Sequence, residues 1–381
     1  MILLLIVLAV AVYRYVTTPL ETAFSTAYPS DLHVYVLGGQ QVKDHLPLYA
    51  HDLLPGLPFT YPPFAGVVFS WLPTEEWFGV AWKLASVVVL AGVVWGSSIS
   101  KKHVVPLVAF FVLCTEPVQG TLYFGQVNLL LMGLVCLDFL PKNRLPGIGT
   151  GLAAGIKLTP AFFIVLLIYQ RRWGATFVAA FTFVCTAASG MNVVDAPNFW
   201  TRAIFSTQRI GVDENPGAQS IRQVLARAGM DSTLLWLTLC AAVTILALLA
   251  CRRAPAPLAV SFIGLTACLV SPFSWYHHWV WIVPLGVFVF ERYGSVALMV
   301  LMAPYASVVL WPGAPQFLYI AVPVLFMAWY ALPSGYAHPF IRRSDRGSHS
   351  TRPRPRSLRR PGPRYRRGTQ PVSYTHLRAH E

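Results

Sequence analysis

Charged residues are scarce in this chain. They make up 12% of 381 residues, where a soluble domain carries roughly 25%. With 55% apolar residues and a mean hydropathy of +0.56, the composition excludes a soluble enzyme and indicates an integral membrane protein. Alternating segments of about ten residues, which would close a barrel, are also lacking. The apolar runs instead approach the length of a helical span, about 20 residues. Paired cysteine motifs are missing as well. Cys114, Cys136, Cys185, Cys240, Cys251 and Cys268 lie in or at the ends of apolar segments, and none forms a C-x-x-C pair. They read as small apolar residues rather than as zinc ligands or a disulfide framework.

The net charge of +14 is concentrated at one end. Residues 341–381 hold 12 arginines against Asp345 and Glu381, leaving only +4 for residues 1–340. The membrane body is thus nearly balanced, which gives no support to nucleic-acid binding. Residues 342–370, rich in Arg, Pro, Ser and Gly, read as a disordered basic tail. The stretch 372–381 matches one reading frame of a common sequencing adapter and is read as an artefact, so 341–381 is set apart from the functional argument.

The remaining 1–340 read as one transmembrane domain. Apolar segments run over about 1–18, 62–73, 77–97, 104–118, 122–140, 147–169, 173–190, 233–251, 255–271, 277–291, 295–311 and 315–333. Residues 1–13 lack a clear cleavage site and read as an uncleaved first span. Basic clusters at Lys101-Lys102, Lys142-Asn143-Arg144, Arg171-Arg172, Arg252-Arg253 and Arg292 mark cytoplasmic loops. The expectation is an all-α polytopic protein with about 10–12 crossings, re-entrant or broken helices, and both termini cytoplasmic. Its large extracytoplasmic loops are 19–61 and 191–232. Segment 62–73 is short for a span. Segment 147–169 carries Lys157 and Pro160 in its middle, as a pair of half-helices lining a cavity would.

That topology brings five polar elements to one outer face: Asp31, His33 and Tyr35; Thr60-Tyr61-Pro62-Pro63; Gly125-Gln126-Val127-Asn128; the loop 191–232; and Ser274 to Trp279. Asp31 alone could be a solvated loop acid. Among Tyr28, Tyr35, Tyr49 and Tyr61, however, it would be desolvated toward the range of a general base. Gln126 and Asn128 could simply cap a helix, or could hydrogen-bond sugar hydroxyls. His277 and His278 sit in an aromatic belt and point to different helix faces. They suit contact with a phosphate or hydroxyl better than a shared metal. Lys157 would cost about 2.5–3.5 kcal/mol in a span without a partner. It fits either a structural ion pair or the phosphate of a lipid. Arg202, Arg209, Arg222 and Arg227 lie outside, as surface charge or as forked contacts to headgroup phosphates. Asp31, Asp44 and Asp52 lack the spacing of an octahedral metal site, and no cofactor is expected.

These residues resemble a known family. Asp31-Leu-His-Val-Tyr35, Pro47-Leu-Tyr49, Phe59-Thr-Tyr-Pro-Pro-Phe64, Gly125-Gln-Val-Asn128, Gly151 with Lys157 and Pro160, and Ser274-Trp-Tyr-His-His278 are similar in order and spacing to the polyprenyl-phosphate-mannose-dependent α-(1→2)-mannosyltransferases. That group is glycosyltransferase family 87 of the GT-C superfamily, typical of actinobacterial envelopes. The likeness covers roughly residues 1–335. It implies a GT-C-like fold in the bacterial cell membrane and an extracytoplasmic active site. The implied donor is polyprenyl-phosphate-mannose, used with inversion toward a mannolipid or lipoglycan acceptor, and Asp31 is the implied catalytic base. Lys157, His277 and His278 are then candidates for the donor phosphate. His33, Tyr35, Tyr61, Gln126, Asn128, Gln219, Ser220 and Arg222 are candidates for sugar and acceptor. One departure stands out: where family members carry Asn-Gln-Ser, this chain has Ala218-Gln219-Ser220, with Asn215 three residues earlier. The rival reading is a transporter of a lipid-linked sugar, which would be built from related halves. The sequence has no obvious repeat.

Overall fold

The computed structural model describes residues 5, 9, 28–140, 146–306 and 317–332, all within one unit, Met1–Pro333. The first apolar segment apart from residues 5 and 9 lies outside the described residues. So do Lys142-Asn143-Arg144, part of segment 295–311 and the tail 341–381.

Helix α1 (Ser30–Lys43) carries Asp31 in its first turn and buries Leu32, Tyr35 and Gly39. A small antiparallel hairpin follows, β1 (Asp52–Leu54) with β2 (Leu57–Pro58). Helix α2 (Pro63–Phe69) starts on a proline, whose fixed φ and missing N–H suit a first helical turn. Its seven residues are too few to cross a bilayer. It packs against α1 instead, where a Cβ on Gly39 would stand 2.4 Å from the Phe69 backbone.

Helix α3 (Trp77–Ser97) turns Trp77, Leu84, Val88 and Trp95 outward, an exposed apolar face that suits lipid. Helices α4 (Val104–Cys114) and α5 (Glu116–Phe124) then meet at an angle of 74°. The sequence predicts continuous apolar helix over 104–118, and the break at Thr115 has a chemical cause. Pro117 has no N–H to give the Leu113 carbonyl, and its ring crowds that oxygen. The Gln119 side chain donates to the Leu113 carbonyl at 2.7 Å in its place. Gly125 ends α5 with φ +68°, leaving Gln126 at the turn before helix α6 (Asn128–Phe139).

Segment 147–169 is broken as its lysine and proline predict. Helix α7 (Ile148–Ile156) ends at Lys157, which has an extended backbone. A 3-10 turn over Thr159–Phe162 leads into helix α8 (Phe163–Tyr169). Buried Asp138 accepts from the amides of Gly147 (3.2 Å) and Thr150 (2.7 Å). It satisfies orphan donors at the α7 N-terminus and favours that end of the helix dipole. Helix α9 (Trp173–Gly190) lies directly against α7. Added Cβ atoms on Gly151 and Gly155 would come within 2.6 Å of the Ala179 carbonyl and 2.3 Å of Thr186 Oγ1. Small residues four apart let the two backbones approach this closely.

The long loop 191–232 folds into helix α10 (Ala196–Thr201), two 3-10 turns and helix α11 (Ile221–Arg227). Helix α12 (Thr233–Cys251) follows, capped by Ser232 Oγ accepting from Leu235 N. Helix α13 (Ala256–Val270) is the most deeply buried, with twelve of its residues in the core. A 3-10 turn over Tyr276–Trp281 feeds helix α14 (Ile282–Met302), which is broken at Gly294 (φ +85°, ψ −177°). Helix α15 (Phe317–Ala331) is the last described element.

The protein is thus an all-α polytopic membrane protein. Among the described residues four helices have the length and composition to cross a membrane, and the bent α4–α5 pair makes a fifth. Four further apolar helices are shorter. Apolar segments are cut at Thr115 and Lys157, and the stretch 276–281 is wound as a 3-10 turn. The polar or irregular backbone at Lys157 and at 276–278 faces an internal cavity, where such backbone is tolerated at membrane depth.

Candidate active site

A cavity of about 860 Å³ opens among α1, the residues before α2, the α5–α6 turn, the α7–α8 break, the long loop and the Ser274–His278 stretch. All five polar elements predicted to converge contribute to its wall. Most of the surface is apolar, supplied by Phe124, Phe162, Phe199, Ile204 and Phe273 among others. Asp31, Lys157 and Arg209 are its charged residues, with His277 and His278 beside them.

Gln126 organises the acidic side. Its Oε1 accepts from Tyr61 Oη (2.9 Å) and Tyr35 Oη (3.1 Å), and the two phenols lie 2.7 Å apart. With the carbonyl end so occupied, Nε2 turns to Asp31 and donates to Oδ2. Tyr35 is locked by stacking on Phe69 at 4.5 Å, and Tyr49 Oη bonds the Tyr61 carbonyl at 2.8 Å. The turn carrying Gln126 is pinned in turn, because Trp82 Nε1 donates to the Gly125 carbonyl at 2.8 Å. Burial pushes the Asp31 carboxyl above its ordinary value, since desolvation penalises the anion. The Gln126 and Ser30 hydrogen bonds and the Lys157 charge pull the other way without cancelling it. Burial also drives the Tyr35 and Tyr61 phenols well up. Both stay protonated and act as donors.

Asn128 organises the basic side. Its Oδ1 accepts from Lys157 Nζ at 2.9 Å, and its Nδ2 donates to the His277 carbonyl at 3.0 Å. Thr121 Oγ1 bonds the same carbonyl at 2.8 Å. Lys157 Nζ also stands 5.3 Å over the Tyr61 ring, a cation–π contact that ties the basic side to the acidic one. His277 is 5% exposed, yet neither ring nitrogen has a hydrogen-bond partner among the described residues. It lies between Phe124 and a nearly parallel Trp275, with centroids 5.1 and 6.2 Å away. His278 Nδ1 accepts from the Trp275 amide at 3.3 Å, so in the neutral ring the proton is on Nε2.

The remaining candidates lie elsewhere. His33 is exposed and packs edge-on to Tyr28. Arg222 pairs with Asp213 at 3.3 Å and faces Trp236. Gln219 and Ser220 are buried behind the wall. Gln219 N donates to the Ser274 carbonyl, its own carbonyl accepts from Trp279 Nε1, and Ala218 bridges Trp275. The Ala218-Gln219-Ser220 stretch is therefore a backbone splint for the Ser274–His278 motif. Position 218 acts there through its main chain, and its side chain is fully buried.

Two residues gained weight from the structure. Asp195 accepts from the amides of Leu48 (2.8 Å) and Tyr49 (2.7 Å), joining two loops 146 residues apart in sequence. Arg209 reinforces that junction by donating to the Tyr49 carbonyl at 3.1 Å. No local pattern marks Asp195. Arg209 is one of four loop arginines, and the sequence does not distinguish it from Arg222.

The chain is also similar in sequence to known proteins. The family model described as Glycosyltransferase family 87 matches residues 59–272. The chain belongs to glycosyltransferase family 87. The family match takes in Tyr61, Gln126, Asn128, Lys157 and Arg209, while Asp31 and the two histidines lie beyond its ends. Among relatives, a polyprenol-phosphate-mannose-dependent alpha-(1-2)-phosphatidylinositol mannoside mannosyltransferase of Mycolicibacterium smegmatis is 33% identical, over 68% of this chain and 69% of the relative. A polyprenol-phosphate-mannose-dependent alpha-(1-2)-phosphatidylinositol pentamannoside mannosyltransferase of the same organism is 33% identical, over 79% of this chain and 84% of the relative. A phosphatidylinositol mannoside mannosyltransferase of Mycobacterium tuberculosis is also 33% identical, over 76% and 77%. No solved structure matches the chain at a significant level.

Proposed function

We propose that this glycosyltransferase moves mannose from polyprenyl-phosphate-mannose to a phosphatidylinositol mannoside or related mannolipid. The reaction takes place on the extracytoplasmic face of a bacterial cell membrane. The observation that carries this reading is the apolar cavity holding the Asp31 carboxylate, the Lys157 ammonium and the unpartnered His277 ring together. The donor and acceptor named for the relatives supply the substrate class. The basic clusters support the sidedness, with both termini cytoplasmic.

In the proposed reaction an acceptor hydroxyl attacks the anomeric carbon. Its proton passes to Asp31 as the new C–O bond forms. The bond to the donor phosphate breaks on the opposite face, and its electron pair leaves with the phosphate oxygen. A β-linked donor thereby gives an α-linked product. The departing phosphate gains a negative charge, and Lys157, with a hydrogen bond from His277 or His278, meets it where low dielectric strengthens the attraction. Tyr35, Tyr61 and Gln126 hold Asp31 and offer hydroxyl and amide groups to sugar oxygens. The polyprenyl tail follows the apolar wall.

The test is transfer by the full-length protein in liposomes. Labelled polyprenyl-phosphate-mannose and a phosphatidylinositol mannoside should yield a new labelled mannolipid. Asp31→Asn should lower kcat by about 10²- to 10⁴-fold, the usual share of a general base. Movement of label across the bilayer without a new product would instead identify a transporter. Transfer unimpaired by Asp31→Asn would remove the base assignment.

A further inference from the structure

Lys157 and Arg209 are the cavity's two cations, and they reach it from unrelated parts of the fold. Lys157 stands at the α7–α8 break. Arg209 closes a 3-10 turn in the long loop. Neither forms an ion pair among the described residues, in contrast to Arg222 with Asp213. Among those residues Arg209 bonds backbone carbonyls, Tyr49 at 3.1 Å and Phe59 at 3.5 Å. Those contacts fix the guanidinium while leaving most of its five N–H donors unspent. A cation held by neutral acceptors beside an apolar wall keeps an unmatched charge, which is stabilised when an anion arrives. A forked guanidinium fits two phosphate oxygens at once, whereas an ammonium acts as a point charge.

The proposed reaction brings two phosphate-bearing lipids to one cavity. The donor carries a phosphodiester that becomes a monoester, and a phosphatidylinositol-based acceptor carries a phosphodiester that is chemically untouched. We infer that the two cations divide these phosphates, with Lys157 meeting the donor's and Arg209 binding the acceptor's phosphodiester. This rests on the functional reading above and deepens it. Arg209 becomes the residue that selects an anionic phospholipid acceptor over a neutral glycoside. Because the acceptor phosphate takes no part in bond making, Arg209 acts on acceptor binding and not on the chemical step.

The experiment uses full-length protein in detergent or liposomes, as wild type, Arg209→Ala and Arg209→Lys. The acceptors are a phosphatidylinositol mannoside and an alkyl α-mannoside without phosphate. Wild type should favour the phosphate-bearing acceptor by about ten- to a hundredfold in kcat/KM, as expected for charge-assisted hydrogen bonds. Arg209→Ala should raise KM for that acceptor by a similar factor, a loss that exceeds by at least about fivefold any change in donor KM or in use of the neutral mannoside caused by losing the bonds to Tyr49 and Phe59. Arg209→Lys should fall between. Equal loss toward both acceptors would assign Arg209 to loop stapling and overturn the inference. So would a change confined to donor KM, or a wild type without preference. A wild type that makes no mannolipid from either acceptor would instead fail the functional reading itself.

Discussion

In the proposed reaction Asp31 and Gln126 set the acid–base behaviour of the site. Burial raises the Asp31 pKa above the ordinary carboxylate value, and the Gln126 hydrogen bond partly offsets it. A general base works ionised, so kcat/KM should fall as pH drops through that raised value. The acid limb should therefore lie above the range of a solvent-exposed aspartate. Gln126→Leu removes a bond that favours the anion, so it should move the limb further up; a pH–rate profile of the two proteins checks this. The stability sign is the reverse of the usual carboxylate case. A carboxyl with a raised folded pKa is protonated more readily in the folded state, so stability declines as pH rises through the window between its unfolded and folded values. Asp31→Asn should thus leave the neutral-pH melting temperature equal or higher while activity collapses, a split visible by thermal unfolding beside the transfer assay.

The residue scale also shows what sequence could and could not convey. Asp31, Tyr35, Tyr61, Gln126, Lys157, His277 and His278 were legible because each breaks a local rule, as a polar group in or beside an apolar run. All seven line the cavity. Asn128 stands one contact behind, orienting Lys157. His33, Arg222, Gln219 and Ser220 share the loops and motifs but not the wall, since membership in a loop does not fix where a side chain points. Asp195 was illegible because its partners are backbone amides 146 residues away, and no side-chain pattern records such a bond.

At the scale of elements, the broken helix α7–α8 places Lys157. Glycines at 151 and 155 let α7 lie on α9, and Asp138 caps its start. A methyl at 151 would meet the Ala179 carbonyl at 2.6 Å, and a backbone atom cannot swing aside. Gly151→Ala should cost about 1–3 kcal/mol by overpacking. It should also lower kcat by displacing Lys157, with the melting temperature and the transfer rate falling together. The break itself was readable from Lys157 and Pro160. The 74° bend at Thr115 was not, because Pro117 sits inside the apolar run 104–118 and the substitute donor Gln119 just past its end, so the run still looks helical.

At the scale of the whole molecule, the described cavity and apolar helices belong to one compact unit, Met1–Pro333. The two large loops are joined over the cavity by Asp195 and Arg209. Asp195→Asn keeps one acceptor but loses the charge and the second oxygen. It should loosen that junction and raise protease sensitivity in both 44–61 and 191–232, which limited proteolysis of intact membranes can read. The class followed from composition, and the five polar elements expected to converge do line one cavity. Of the short helices, α2 and the α7–α8 pair showed in the sequence, whereas the α4–α5 break did not, because broken spans obey packing around a cavity rather than bilayer thickness.

The Gln126 amide has one more consequence. Its carbonyl oxygen is committed to two phenols, so its nitrogen presents only hydrogens to Asp31 Oδ2. A proton on that oxygen would weaken the bond from Gln126, because a protonated carboxyl oxygen is a poorer acceptor than a carboxylate oxygen. In the proposed reaction the proton therefore goes to Oδ1, the oxygen that Ser30 Oγ contacts at 3.3 Å. The two oxygens, equivalent for a carboxylate in water, are made unequal here by Gln126, and under the proposed reaction that inequality sets the side from which a hydroxyl approaches.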